Sequence, residues 1–374
     1  MRILLLHNRY RFEGGEERAV ADIAALLQAR GHAVELLERS STEAGKGRAA
    51  QAMVLGGADG AEVAERVRRF AADVVHAHNV HPLFGWRALA AARGAGARTV
   101  LHLHNFRLFC AIGVAYRDGA PCFRCRGRDT RPGVRLLCRG SLGEAIVYAV
   151  GLRTQQPRLF EHADRFVAVS DAQARRLFAL GLPPENAYVL NNFVPAVNFA
   201  PRSRAGDGRY ALASGRLVEE KGFDTAIAAA RRAGVPLVIA GDGPDRTRLQ
   251  ALAEGADVRF AGRLEQRALA ELRAGAGVVL IPSRSEEACP YAALDALADG
   301  LPVLASDYGA LPELVGAEAV LPARGLRRWS DALAELWGDP AARGAHGASA
   351  LERARSRFSE DRYYEGLMSI YRGL

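Results

Sequence analysis

The sequence predicts an α/β chain built as two doubly wound, Rossmann-like domains. Three observations predict it. Strand-length apolar runs alternate with helical stretches rich in Ala, Arg and Leu along all 374 residues, as parallel strands joined by crossover helices require. A polar stretch from Asn191 to Gly208, punctuated by Pro195 and Pro201, divides those runs into two sets. A composition that is 49% hydrophobic and 25% charged suits two ordinary cores and excludes fibrous and disordered classes.

In the first domain, 1–195, strands are expected at about Ile3 to Leu6, Val34 to Leu37, Val74 to His78, Thr99 to His104, Phe166 to Val169 and Tyr188 to Leu190. A helix between the first two of these runs to about Arg30 and stops at Gly31. In the second domain, 205–355, they are expected at about Tyr210 to Ala213, Leu237 to Ala240, Val258 to Phe260, Val278 to Ile281, Val303 to Ala305 and Ala319 to Leu321. The final stretch, 356–374, carries Tyr363, Tyr364, Leu367 and Tyr371 at helical spacing. The apolar run at Met1 to His7 is only strand-length, too short for the core of a signal peptide, and no later run could span a bilayer. The expected location is the cytoplasm.

Candidate chemistry collects after the strands, where ligands bind in doubly wound sheets. After the run Gly277 to Ile281 comes Ser283 to Asp295, which places Glu287 in a loop and Asp295 on the first turns of the next helix. Such a helix start also offers backbone N–H groups to an anion. After the first strand of the second domain, Gly215, Arg216 and Lys221 combine close backbone approach with a planar cationic fork and a point charge, as a diphosphate needs. The turn Gly241-Asp242-Gly243-Pro244 shapes the same end of the sheet. In the first domain Glu13-Gly14-Gly15-Glu16-Glu17 lets the chain pass close to a charged ligand before a helix. His102 and His104 share a strand face, with His104 at the strand end, while His76, His78 and His81 suggest a metal group or, having no evident carboxylate partner, acceptor-side hydrogen bonding.

Glu287-x7-Asp295 resembles the Glu-x7-Glu signature of the retaining family 4 glycosyltransferases, with the second acid one methylene shorter. The resemblance covers nearly the whole chain and implies the GT-B fold, two Rossmann-like doubly wound domains facing across a cleft, with 356–374 returning as a helix to the first domain. It also implies roles. Glu287 would contact donor sugar hydroxyls and Asp295 the nucleotide ribose, with Ala288, Cys289, Pro290 and Tyr291 lining the donor loop between them. Arg216 and Lys221 would hold the donor diphosphate, Gly14, Gly15 and Gly215 would lie beside the donor, and the pocket at Arg263 would read the base through backbone atoms. His104 would contact the transferred sugar, with His78, Asn79 and Asn105 toward the acceptor.

Four of the five cysteines fall in one insertion at about 106–140, namely Cys110, Cys122, Cys125 and Cys138. A branch of the family carries a similar insertion. Structural zinc, free or redox-reactive thiols, and a disulfide are the three readings, the last disfavoured by a reducing compartment. The insertion also bears Arg117, Arg124, Arg126, Arg128, Arg131, Arg135 and Arg139 against Asp118 and Asp129. Such charge attracts anionic lipid or a diphosphate-linked acceptor, at about 1 kcal/mol per basic residue near a membrane. Nucleic acid is disfavoured, since only Tyr116 and Phe123 interleave with the arginines.

The expected activity is therefore transfer of a sugar from a nucleotide-diphosphate donor to a saccharide or lipid-linked acceptor with retention, in polysaccharide or glycolipid assembly. No cofactor is required for catalysis on this reading, and peripheral contact with the inner face of the cell membrane is expected. The alternatives are a nucleotide-sugar epimerase of the same fold, which needs no acceptor, and a noncatalytic zinc- and anion-binding protein, which would tolerate loss of Glu287.

Overall fold

The computed structural model describes residues 1–9 and 14–374. In chain order the strands are β1 (Arg2–Arg9), β2 (Ala33–Ser40), β3 (Val74–Ala77), β4 (Arg98–Leu103), β5 (Tyr116–Arg117), β6 (Ala120–Pro121), β7 (Arg165–Ala168), β8 (Ala187–Val189), β9 (Tyr210–Ser214), β10 (Leu237–Ala240), β11 (Val258–Gly262), β12 (Ala276–Ile281), β13 (Val303–Ser306) and β14 (Val320–Leu321). All twelve expected strands appear within a few residues of the positions read from the sequence.

The chain forms two compact units, one of residues 1–115, 122–191 and 363–374, the other of 116–121 and 192–362. The first holds a six-stranded sheet in the order β2-β1-β3-β4-β7-β8, every pairing parallel. Its central strands read as unbroken apolar runs because both faces are covered: Ile3, Leu4, Leu5 and Leu6 are all fully buried. The helix Gly15–Ala29 follows β1 and buries Ala19, Val20, Ile23, Leu26 and Leu27. The terminal helix Glu360–Arg372 buries Tyr363, Leu367, Met368, Ile370 and Tyr371, so the aromatic spacing seen in the sequence is its inward stripe.

The second unit repeats the plan. Its sheet runs β11-β10-β9-β12-β13-β14, again all parallel, and every residue of β12 is buried. In each sheet the strand order reverses once, between β1 and β3 in the first and between β9 and β12 in the second. Loops diverge to opposite faces at such a reversal, leaving a crevice at the carboxyl ends of the two strands. The small antiparallel hairpin β5–β6 belongs to the second unit, where the Tyr116 hydroxyl donates to Glu219 Oε1 at 3.2 Å.

Candidate active site

In the second unit the loops after β9 and β12 meet at the reversal point. Two glycines make the approach feasible. Gly222 has φ +68°, and a Cβ there would stand 2.0 Å from the Pro282 carbonyl oxygen, so the loop carrying Lys221 touches the end of β12. Gly309 has φ +60°, and its Cβ would lie 2.4 Å from the Glu287 carbonyl oxygen, so the loop after β13 cradles the acid.

Lys221 Nζ accordingly lies 2.6 Å from Glu287 Oε1, an oxygen that also accepts the Ser283 hydroxyl. Ser283 is itself fixed, its carbonyl accepting the Ser306 hydroxyl at 2.6 Å. Glu287 is the more buried partner, its side chain 12% exposed against 30% for Lys221. Arg216 stays 54% exposed, with Nη2 3.4 Å from Glu220 Oε1. Two carboxylates and two cations are thus paired here, Lys221 closely with Glu287 and the exposed Arg216 loosely with Glu220. Gly215 (φ +145°) precedes Arg216, and Arg263 is exposed just beyond β11.

The rest of the donor loop is tightly held. Ala288 is half-buried, Pro290 is the N-cap of the helix Tyr291–Ala298, and Tyr291 opens it. The Cys289 carbonyl accepts Asn192 Nδ2 at 3.1 Å, and burial pushes the Cys289 thiol up to about 12, which fits a packing residue. Asp295 is buried in the helix 3.6 Å from Arg273 Nη1, and Arg273 Nε binds Asp299. Burial raises the Asp299 carboxyl, while Arg273 pulls it back.

In the first unit the ends of β1, β3 and β4 present polar groups. Gly14 and Gly15 are exposed at the start of their helix, and the Gly14 N–H donates to Glu17 Oε2 at 2.8 Å. Glu13 lies outside the described residues. Glu16 Oε2 accepts Asn105 Nδ2 at 3.0 Å, and His7 Nε2 is 3.6 Å from Glu17 Oε1. Asn79 is committed internally, donating to the Asn8 carbonyl and accepting the His81 N–H.

His76, His78, His102 and His104 form a stack, with His76–His78 and His102–His104 ring centroids 4.4 and 4.3 Å apart. His78 Nδ1 and His104 Nε2 are 2.9 Å apart and His76 Nε2 and His102 Nδ1 are 3.2 Å apart, while His76 Nδ1 meets the Tyr371 hydroxyl at 2.6 Å. Burial holds all four imidazoles neutral, and like-charge repulsion between the rings lowers those of His78, His102 and His104 further. Neutral rings at the strand end offer a sugar hydroxyl both a donor and an acceptor.

The metal group read from the sequence as His76, His78 and His81 is differently composed. Among the described residues, the trio whose ligand atoms all lie within 4.8 Å of one another is His76, His78 and His102. His102 takes the place of His81 because β3 and β4 are sheet neighbours, whereas His81 has passed beyond the strand. Both ring nitrogens of His76 are occupied, leaving Nε2 of His78 and Nε2 of His102 as the buried atoms with no partner among the described residues. Cys110, Cys122, Cys125 and Cys138 are half-buried and in no disulfide.

Ser283, Gly309, Glu16 and Tyr371 complete these arrangements without having been read as site residues. Tyr371 carried a signal in its place on the helical aromatic stripe, and Ser283 and Glu16 lie inside the two motifs singled out above without a role of their own there. The others are common residue types whose importance arises from which strands are neighbours.

Two family models match the chain, "Glycosyltransferase Family 4" over residues 13–197 and "Glycosyl transferases group 1" over 197–345. A mannosyltransferase of Corynebacterium glutamicum, described as GDP-mannose-dependent and acting on a monoacylated phosphatidylinositol monomannoside, is 32% identical over 69% of this chain and 75% of its own. The Salmonella typhimurium putative colanic acid biosynthesis glycosyltransferase WcaL is 31% identical over 43% of each chain, so the match spans less than half of that relative. Among solved structures, Anabaena Alr3699/HepE in complex with UDP superposes with a TM-score of 0.70 over 100% of both chains at 17% identity.

Proposed function

The chain belongs to the family 4 glycosyltransferases, of GT-B fold, and from that premise we propose that it moves a sugar from a nucleoside diphosphate to an acceptor hydroxyl with retention at the anomeric carbon. The observation that carries this reading is the Lys221–Glu287 pair with Arg216 beside it, at the strand-order reversal of the second sheet.

The chemistry follows from that pairing. An incoming diphosphate competes with Glu287 for Lys221 and engages the exposed Arg216, so the two cations neutralise charge that grows as the sugar–phosphate bond breaks. Glu287, kept in place by Ser283 and now released from Lys221, accepts hydrogen bonds from sugar hydroxyls. The acceptor hydroxyl attacks from the face the phosphate leaves, its oxygen bonds to the anomeric carbon, and its proton passes to the departing phosphate oxygen. With two protein cations serving the diphosphate, no catalytic metal is required. His104, neutral and oriented by His78, contacts the transferred sugar.

UDP in the Anabaena structure and the GDP-mannose dependence of the Corynebacterium relative support a nucleotide-sugar donor. Acceptors of the saccharide or lipid-linked class, in polysaccharide or glycolipid assembly, accord with the descriptions of the relatives. No helix of the described residues is long and apolar enough to cross a membrane. Contact with an anionic cytoplasmic surface would then fall to the arginines of 117–139.

Calorimetric titration with UDP, GDP, ADP and TDP, with and without EDTA, tests the assignment. One diphosphate should bind independently of EDTA, and Arg216→Ala or Lys221→Ala should weaken it at least about tenfold. Glu287→Gln should lower turnover by about 10²-fold or more with binding of the diphosphate retained. Full turnover in Glu287→Gln, conversion of donor without acceptor, or no binding by any diphosphate would overturn the reading.

A further inference from the structure

We propose that Cys110, Cys122, Cys125 and Cys138 bind one zinc ion as a structural tetrathiolate centre in the first unit. The four occupy a span of the chain that no other cysteine enters, with the chelating Cys-x2-Cys spacing at Cys122 and Cys125. The fold brings them to one place. Cys125 and Cys138 both meet Gly133, Cys122 is joined to Cys125 by the two-residue spacing, and Cys122 bonds to Ala115 of the loop that follows Cys110.

The backbone links the ligand segments. Gly133 stands against Cys125, a Cβ there lying 3.8 Å from Cys125 Sγ, and the Gly113 N–H donates to the Cys110 carbonyl at 3.0 Å.

The ligands are also anchored through the main chain. Cys122 N–H donates to the Ala115 carbonyl at 2.7 Å, Cys138 N–H to Gly133 at 3.0 Å and Cys110 N–H to Phe106 at 2.8 Å. Ala115 and Leu137, each beside or bonded to a ligand, hold positive φ of 48°, a conformation costly for residues with a Cβ unless the surroundings enforce it.

No three of the four sulfurs lie mutually within 4.8 Å among the described residues, so the proposal requires that binding draw them together. On binding, four S–H bonds give up their protons to solvent, four Zn–S bonds form and no electron moves. The centre carries a formal charge of −2, which Arg124, Arg126, Arg128, Arg131, Arg135 and Arg139 on the same segment compensate. This gives the basic composition of the insertion a role inside the protein.

The test is metal analysis of the intact 374-residue chain, purified without chelator, together with cobalt substitution. About one equivalent of zinc per chain is expected, with Zn–S distances of about 2.3 Å by X-ray absorption. The cobalt form should show the sulfur-to-cobalt charge-transfer bands of a tetrahedral thiolate site. Cys122→Ser and Cys125→Ser should lose the metal, and Cys289→Ala should keep it. If the serine variants fail to fold, titration of the wild-type chain with a mercurial decides: zinc should be released in step with modification of four thiols. Zinc retained in Cys125→Ser but lost in His102→Gln would overturn the proposal in favour of the histidine trio. Iron with inorganic sulfide, or disulfides in the freshly purified chain, would overturn it outright.

Discussion

Gly309 shows how a residue with no side chain governs a charged site. Its φ of +60° and the 2.4 Å separation between a would-be Cβ and the Glu287 carbonyl oxygen mean that Gly309→Ala must displace the donor loop. The substitution should cost about 1–3 kcal/mol of stability and lower kcat/KM at least about tenfold. Gly344→Ala is the matching control, because Gly344 sits within the helix Pro340–Arg357 with nothing within 4 Å of its Cβ position. That change should raise Tm slightly, by the about 0.5–1 kcal/mol a helical glycine costs. Equal losses in the two variants would remove the cradle from the account. Glu287 and Lys221 were visible in the sequence because charged residues after an apolar strand stand out. Ser283 and Gly309 were not, since their roles depend on β12 and β13 being sheet neighbours.

Among the elements, the helix Tyr291–Ala298 is the one whose position depends on buried charge. Arg273, on the helix Gln266–Ala274, is 7% exposed and lies against both Asp295 and Asp299. Arg273→Ala leaves two carboxylates in low-dielectric surroundings without their cation, so unfolding free energy should fall by about 3–5 kcal/mol in a urea titration. A loss under about 1 kcal/mol would mean that water replaces the guanidinium and the pairing matters little. The strands themselves were nearly all legible, because parallel strands covered on both faces read as uninterrupted Val, Ile, Leu and Ala. The Arg273 pairing was hidden for the opposite reason, since an arginine in an Ala/Arg-rich helix looks like any solvated charge until the partner helix is known.

At the scale of the whole molecule, the buried histidines tie stability to pH. Burial lowers His76 to about 3 and His81 to about 4 from an ordinary 6.5, and His78 and His102 shift the same way. The unfolded chain therefore binds more protons than the folded one below pH 6.5. Their contribution is complete above that pH and drains away as pH falls toward about 4 and then 3. Tm measured from about pH 8 down to about pH 4 should hold steady and then fall below about 6.5, with a shallower fall in His102→Gln. A flat profile would show that water reaches the stack. The hydroxyl that meets His76 belongs to Tyr371, 295 positions further along the chain. A ribosome thus delivers β3 long before the helix that completes its surroundings, and the intervening second unit emerges first. During synthesis the imidazole stack waits, half-dressed, for the helix that carries Tyr371.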